Sequence, residues 1–506
     1  MLRFLVFRNG QPATDVDLSG AHLVGSDGGP LRADISYEKG QVLCRKRAPG
    51  PAGLAILWPE ANGGRMLFET TKLPERDKPY NLQVELLRGR LMRIAQKRED
   101  WGLYDFDGVD EVARQVEAAR DILIQCLQSD TPAEAAELAE KGLATGLRAA
   151  EGLTAFHAEI FYNRRKQTGG LPKRLVGCVV DPNCTDAGYR EAIASHCDYI
   201  TLPFIWRQIE PKEQELRWSA YDNWVEWATK NKVGVRGGSL VNFTEANIPD
   251  WTYIWEHDFE TLRDLVVEYV RRVIRRYGRH VHAWEVVSGL HAGCCFSFNF
   301  EQLIELTRTT IGTAKQLSPS SAAVIDIVSP WGEYYATNQR TIPPMLYAEM
   351  AMQSGIRFDA FGLQCYMGVG ADGMYVRDIF HFSSILDRFS GFGKPVHITG
   401  IGVPSGITKD ANDAWQGRHA VTAGGAWHLD WSEDLQKAWM RRAYHIALSK
   451  PYIDAITWRD FSDACGHYLP HGGLMRSDGA PKPALRELKS IQEEISGQQR
   501  SEATLS

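Results

Sequence analysis

Eight short apolar runs, rich in β-branched residues and separated by helix-like stretches, dominate the chain from about residue 172 onward. They are LVGCVV, YITLPF, VGVRGGSLV, HAWEVV, AAVIDIV, AFGLQCYM, PVHITGI and DAITWRDF. Strands that are apolar on both faces belong in a parallel sheet covered by helices. Eight such units predict a (β/α)8 TIM barrel, an α/β fold, over 171–492. Chemistry in that architecture sits at the C-terminal strand ends, so the residues that close each run are the first candidates.

The chain is 506 residues long, which leaves room for more than a barrel. Residues 1–104 carry LRFLVF, GLAILW, RMLFET and YNLQVELLRGRLMRIA, with turns at Asp27-Gly28-Gly29-Pro30, Pro49-Gly50-Pro51 and Asn62-Gly63-Gly64. Short strands punctuated in this way predict an N-terminal β-sandwich-like domain. Such a module either binds glycan or packs on the barrel as a structural unit. Residues 105–170 are rich in Ala, Leu and Glu at helical spacing and predict a helical connector of two antiparallel helices. Thr131 caps the second, with Pro132 at its first position. Lys166-Gln167-Thr168-Gly169-Gly170 reads as a linker, and 493–506 as a flexible tail.

Composition narrows the function classes. A net charge of −6 gives no electrostatic case for nucleic acid or an anionic membrane. No run approaches the roughly 20 apolar residues needed to cross a bilayer. The apolar start MLRFLVF is broken at Arg8-Asn9-Gly10, too short for a secretory signal, so it reads as a first strand of a cytoplasmic protein. Nine Cys, an odd number at irregular spacing, read as free thiols in a reducing compartment.

Several pieces share an order. Trp206 is followed by Glu210-Pro211, then come Arg236-Gly237 with Leu240-Val241, Pro249-Asp250-Trp251 and Trp284-x-Val286-Val287. Gly362-Leu363-Gln364, Ile398-Thr399, Trp458, Gly473-Leu474-Met475 and Pro481-Lys482-Pro483-Ala484 complete it. In these pieces the barrel resembles the glycoside hydrolase family 10 xylanases over roughly 172–490. The resemblance implies a retaining mechanism with two glutamates, an acid/base and a nucleophile, whose carboxyl groups lie about 5–5.5 Å apart. The acid/base ends the family motif Trp-Asp-Val-Val-Asn-Glu, where this chain has Ser288 and Gly289. The nucleophile follows the Ile-Thr of strand seven, where this chain has Gly400.

Other family positions are rewritten as well. The groups that hold the sugar and orient the carboxylates fall at Thr201, Leu202, Ile205, Gly238, Asn242, Phe243 and Tyr366. The resemblance therefore implies ancestry without the family's xylanase chemistry, since each missing catalytic group alone costs orders of magnitude.

Other residues offer alternatives. Asp460, Glu333, Asp326 and Glu245 lie near strand mouths and are the candidates for relocated catalytic carboxylates. Glu285 has the strand parity of Gly289 but sits roughly 13 Å deeper, which reads as a buried, paired carboxylate. Trp206, Asn242, Gln364, Tyr366, Trp458 and Trp331 are the candidates for sugar contact. Trp415, Trp427 and Trp431 crowd the long segment after strand seven, either as stacking platforms or as anchors of that loop. The pairs His280/His282 and His467/His471 lack a compact third ligand, so no metal is expected, and no cofactor signature is present.

The expectation is a carbohydrate-active barrel with an oligo- or polysaccharide partner, glycan-binding or functionally diverged. A glycosidase with relocated carboxylates is the alternative, and a structural scaffold the weaker third reading.

Overall fold

The computed structural model describes every residue except 61, 62, 104, 105, 107, 173, 414–417 and 504–506, with side chains described up to residue 495. Two four-stranded sheets build the N-terminal region. The first runs β10-β1-β7-β6, from β1 (Leu2–Leu5), β6 (Ala33–Glu38), β7 (Gln41–Lys46) and β10 (Tyr80–Asn81). The second runs β5-β4-β8-β9, from β4 (His22–Val24), β5 (Pro30–Leu31), β8 (Gly53–Pro59) and β9 (Arg65–Glu69). A small ribbon of β2 (Phe7–Arg8) and β3 (Gln11–Pro12) stands beside them.

One sequence expectation is corrected at this point. The run from Tyr80 is a strand only at Tyr80–Asn81, and then becomes helix α1 (Leu82–Asp100). Asn81 caps it by accepting from the Val84 amide, and the buried Leu82, Leu86, Leu87 and Ile94 sit at helical rather than alternating spacing. The connector thus holds three helices, with α2 (Asp110–Gln128) and α3 (Pro132–Gln167) after α1. The side chain of Thr131 accepts from the Glu134 amide at the start of α3, with Pro132 in the first turn. Lys166 and Gln167 belong to α3 rather than to a linker.

The barrel closes as β11-β12-β13-β14-β15-β16-β17-β18. Its strands are β11 (Val176–Val179), β12 (Tyr199–Leu202), β13 (Gly234–Gly237), β14 (Val281–Ser288), β15 (Ala322–Val328), β16 (Ala360–Tyr366), β17 (Val396–Gly402) and β18 (Ile453–Trp458). Each of the eight apolar runs supplies one strand. The helices between them are α4 (Ala187–His196), α5 (Trp206–Ile209), α6 (Ser219–Asn231), α7 (Phe259–Tyr277), α8 (Phe300–Leu317), α9 (Tyr334–Thr337), α10 (Pro344–Gln353), α11 (Ile379–Ser390) and α12 (Glu433–Ser449). A final helix, α13 (Pro483–Ala503), occupies most of the segment expected as a flexible tail.

Buried charges join the three regions. Arg90 of α1 pairs with Asp378, just before α11, at 2.5 Å with both side chains fully buried. Asp387 of α11 accepts from Lys450 at 2.5 Å, Tyr452 at 2.6 Å, Lys97 at 2.9 Å and the Trp101 indole at 3.1 Å. Arg165, near the end of α3, donates to the carbonyl oxygens of Leu448, Lys450 and Ile453 at the base of β18. Buried pairs of this kind fix geometry more than they add net stability.

Candidate functional site

At the C-terminal end of β14 the chain turns sharply. Gly289 has φ +69°, a left-handed conformation that disfavours L side chains. A side-chain carbon there would lie 3.1 and 3.3 Å from the two methyls of Val328. The position that carries a glutamate in the family thus points at apolar side-chain carbon.

Beside it, four strands share one hydrogen-bond network. Asp326 of β15 is 1% exposed and accepts from Ser288 at 2.5 Å and Gln364 at 2.5 Å through one oxygen. Its other oxygen accepts from Thr399 of β17. Gln364 in turn accepts from the Tyr366 hydroxyl at 3.2 Å. Burial raises the Asp326 pKa, and hydrogen bonds from Ser288, Thr399 and Gln364 offset only part of that. Asp326 is therefore an acceptor at the centre of a packed core, not a group open to substrate.

Gly400 completes the picture. A side-chain carbon built on it would fall well within 3.0 Å of the Tyr366 hydroxyl and ring. The same device recurs around the barrel, where Tyr199 fills the space beside Gly177 and Trp284 the space beside Gly237. Small barrels pair small with large residues to fill a tapering interior. Above Tyr366, the buried Val369, Met374 and Leu469 form an apolar plug joined by Tyr468, whose ring centre lies 5.0 Å from that of Tyr366.

The remaining candidate carboxylates are committed elsewhere. Asp460 follows β18 and accepts the amides of Tyr468 at 2.6 Å and Leu469 at 2.8 Å, which folds the 459–475 loop over the barrel mouth. Burial raises its pKa against the opposing charges of Arg459 and His467. Glu333 is buried in a two-point pair with Arg377 at 2.8 and 3.2 Å, and Arg377 lies over the Trp331 ring at 4.6 Å. Glu245 is exposed, and its carbonyl oxygen accepts from Arg207 at 2.9 Å. Glu285 is buried as expected; its Oε1 has no hydrogen-bond partner among the described residues, and the charges of Arg236 and Arg459 act on it. Burial, with Asp326 nearby, pushes its pKa well up.

The aromatic candidates serve the interior. Trp206 is 4% exposed and donates to Glu210 at 2.9 Å, and Trp458, fully buried, donates to the Gly472 carbonyl oxygen at 3.0 Å. Neither has an exposed face for a sugar ring. Asn242 caps a turn by accepting from the Thr244 amide at 3.0 Å. Trp427 and Trp431 are buried and donate to Glu151 of α3 at 2.7 Å and to the Gly425 carbonyl oxygen at 3.2 Å, which anchors the loop after β17. Trp415 lies outside the described residues.

An open part of the barrel mouth lies to one side, over β11, β12 and β18. It is a cleft of about 340 Å³ bordered by Asp181, Asn183, Gln208, Asn412, Arg459 and Tyr468. The amide side chains of Asn183, Gln208 and Asn412 belong to exposed residues. Asp460 also borders the cleft, behind the loop that it holds. Sequence reasoning missed these residues, although Asp181-Pro182-Asn183 directly follows the first strand, where such a loop must reach the mouth.

Among the described residues one group has metal-ligand types at close range. Potential ligand atoms of Asp410, Asp463 and His467 lie within 4.8 Å of one another. Their charges already have partners, with Lys482 on Asp463 at 2.6 Å and His467 on Asp410 at 2.7 Å. No described helix is long and apolar enough to cross a membrane.

Parts of this chain are similar to known proteins. The model of glycosyl hydrolase family 10 matches residues 169–300, which span β11 to β14 and the turn at Gly289. Over those residues the barrel is similar to family 10. Endo-1,4-beta-xylanase C of Paenibacillus barcinonensis is 22% identical over 266 residues, covering 46% of this chain and 23% of that protein. Endo-1,4-beta-xylanase B of Thermotoga neapolitana is 22% identical over 305 residues, covering 57% of this chain and 78% of that protein. The chain spans less than half the length of the first curated relatives it matches. Among solved structures, xylanase 10B of Thermotoga maritima aligns with a TM-score of 0.49 at 18% identity, covering 64% of this chain and 96% of its own.

Proposed function

We propose that this family 10-like barrel binds an oligo- or polysaccharide without cleaving it by the paired-glutamate route. The observation that carries this reading is the Tyr366 ring in the space beside Gly400. The nucleophile position has lost its carboxylate, and the volume that a carboxylate would need is filled from the next strand. Gly289, turned toward Val328, removes the acid/base partner in the same way.

Binding rests on the side cleft. Its volume suits one or two sugar rings, its amides and Arg459 offer donors and acceptors to hydroxyls, and Tyr468 gives a partly exposed aromatic face. Relocated catalysis finds less support, because Asp326 and Asp460 are each held by two or more internal partners, Glu333 is held at two points by Arg377, and Glu245 stands exposed. The test is a broad glycan array with the wild-type chain and with Asn183→Ala and Gln208→Ala. Retention of a β-linked glycan that both substitutions weaken at least several-fold supports the reading. An empty array, or binding that neither substitution alters, contradicts it.

A further inference from the structure

The loops after the first and last barrel strands bring two cysteines together at the rim of the cleft. Cys184 lies in the turn after β11, and its amide donates to the Asp181 carbonyl oxygen over 3.1 Å. Cys465 lies in the turn after β18, and the amide of the next residue, Gly466, donates to Oδ2 of the same Asp181 over 3.1 Å. One aspartate therefore ties both turns and sets the two thiols within hydrogen-bonding reach of each other, where each shifts the other's titration. Both sulfurs are free thiols in this structure.

We propose that Cys184 and Cys465 form a reversible disulfide that staples the closing seam of the barrel, made by exchange with a small disulfide such as oxidised glutathione. The seam is where the two ends of the barrel meet. It pairs β11 with β18 through Val176–Ile456, Gly177–Thr457 and Cys178–Trp458. A covalent link here would close a ring of roughly 280 residues, the long-loop case in which a disulfide most restricts the unfolded chain.

The chemistry balances with that co-reactant. The Cys465 hydrogen bond outweighs burial and lowers the Cys184 thiol to about 7, so thiolate is available near neutral pH. The Cys184 thiolate attacks one sulfur of oxidised glutathione, breaking its S–S bond and expelling a glutathione thiolate. That thiolate takes the Cys465 proton, and the Cys465 sulfur attacks the Cys184 sulfur of the mixed disulfide and releases the second glutathione. The protein loses two electrons and two protons, and one oxidised glutathione becomes two reduced ones.

Access separates this pair from another. Cys178 and Cys197 are a second pair of neighbouring thiols, but both are buried, at 0% and 4% exposure. Cys184 is 8% exposed, and Cys465 beside it is half-buried and within reach of solvent.

The experiment equilibrates the full chain in glutathione buffers of rising oxidised fraction, then alkylates the remaining thiols and maps peptides by mass. Alkylation at Cys184 and Cys465 should be lost together, with a cross-linked peptide pair that dithiothreitol removes. Cys465→Ser should leave Cys184 with a single glutathione adduct, and Cys178→Ser should leave the cross-link intact. The oxidised wild type should melt above the reduced form, a difference absent in Cys465→Ser. Full alkylation of both residues in the most oxidising buffer, or separate glutathione adducts without a cross-link, overturns the proposal. Equal melting of the two forms overturns the staple. The cross-link is read by mass, so the outcome is independent of sugar binding in the cleft.

Discussion

The phenol of Tyr366 stands where a side chain on Gly400 would have to project. In the proposed reading, two neighbouring strands thus exchange a catalytic position for a packing contact. Restoring the lost glutamates should therefore not restore hydrolysis. Gly400→Glu must displace a buried tyrosine, an overpacking cost of about 1–3 kcal/mol or more. Gly289→Glu adds about 1–2 kcal/mol for a left-handed residue. The double variant should melt below the wild type and release no reducing ends from xylo-oligosaccharides. Turnover by that variant would show that Tyr366 yields easily and that the site is only two substitutions from activity.

The connector should prove essential to the barrel because Arg90 and Asp378 form a fully buried pair across their boundary. Arg90 and a neighbouring histidine hold the Asp378 carboxyl well below the usual carboxylate range, against the opposing effect of burial. Arg90→Ala leaves that carboxylate buried without its guanidinium partner and beside His381 only through its other oxygen, a loss of up to about 3–5 kcal/mol. Chemical denaturation measures it. Replacing both residues with apolar ones of similar volume should cost clearly less, and equal losses would count against the pair.

Alkaline pH should loosen the loop after β17. His428 lies between Glu151 at 2.7 Å and Glu60 at 3.2 Å, which joins that loop to α3 and to the N-terminal region. Burial alone would lower its pKa, but hydrogen bonds and charges from Glu151 and Glu60 raise it to about 9. A raised folded-state value means the contribution is full below the ordinary histidine value of about 6.5 and is lost as pH rises through about 9. The gap in melting temperature between wild type and His428→Gln should therefore be wide near pH 6 and narrow near pH 10. A gap that stays constant over that range would rule out the imidazolium clamp.

The barrel was readable because each strand is a short, doubly buried apolar run. Helix α1 was not, because Leu82 to Ile94 also tolerates an alternating reading, and the Asn81 cap that decides the matter looks like an ordinary turn residue. The absence of a carboxylate at Gly289 and Gly400 was plain in the residues themselves. Its meaning was not, since only the pairing of β16 with β17, Gln364 beside Gly400, places the Tyr366 ring over the gap. Trp427 shows the same limit. Its partner Glu151 lies 276 residues away on α3, and nothing local announces it.

The most direct measurement takes one oligosaccharide that the protein retains and follows heat of binding and product formation in the same sample. The account predicts saturable heat with no new reducing ends over extended incubation. Steady release of reducing ends, abolished by Asp460→Asn in a chain that still folds, would contradict it and return catalysis to the barrel mouth.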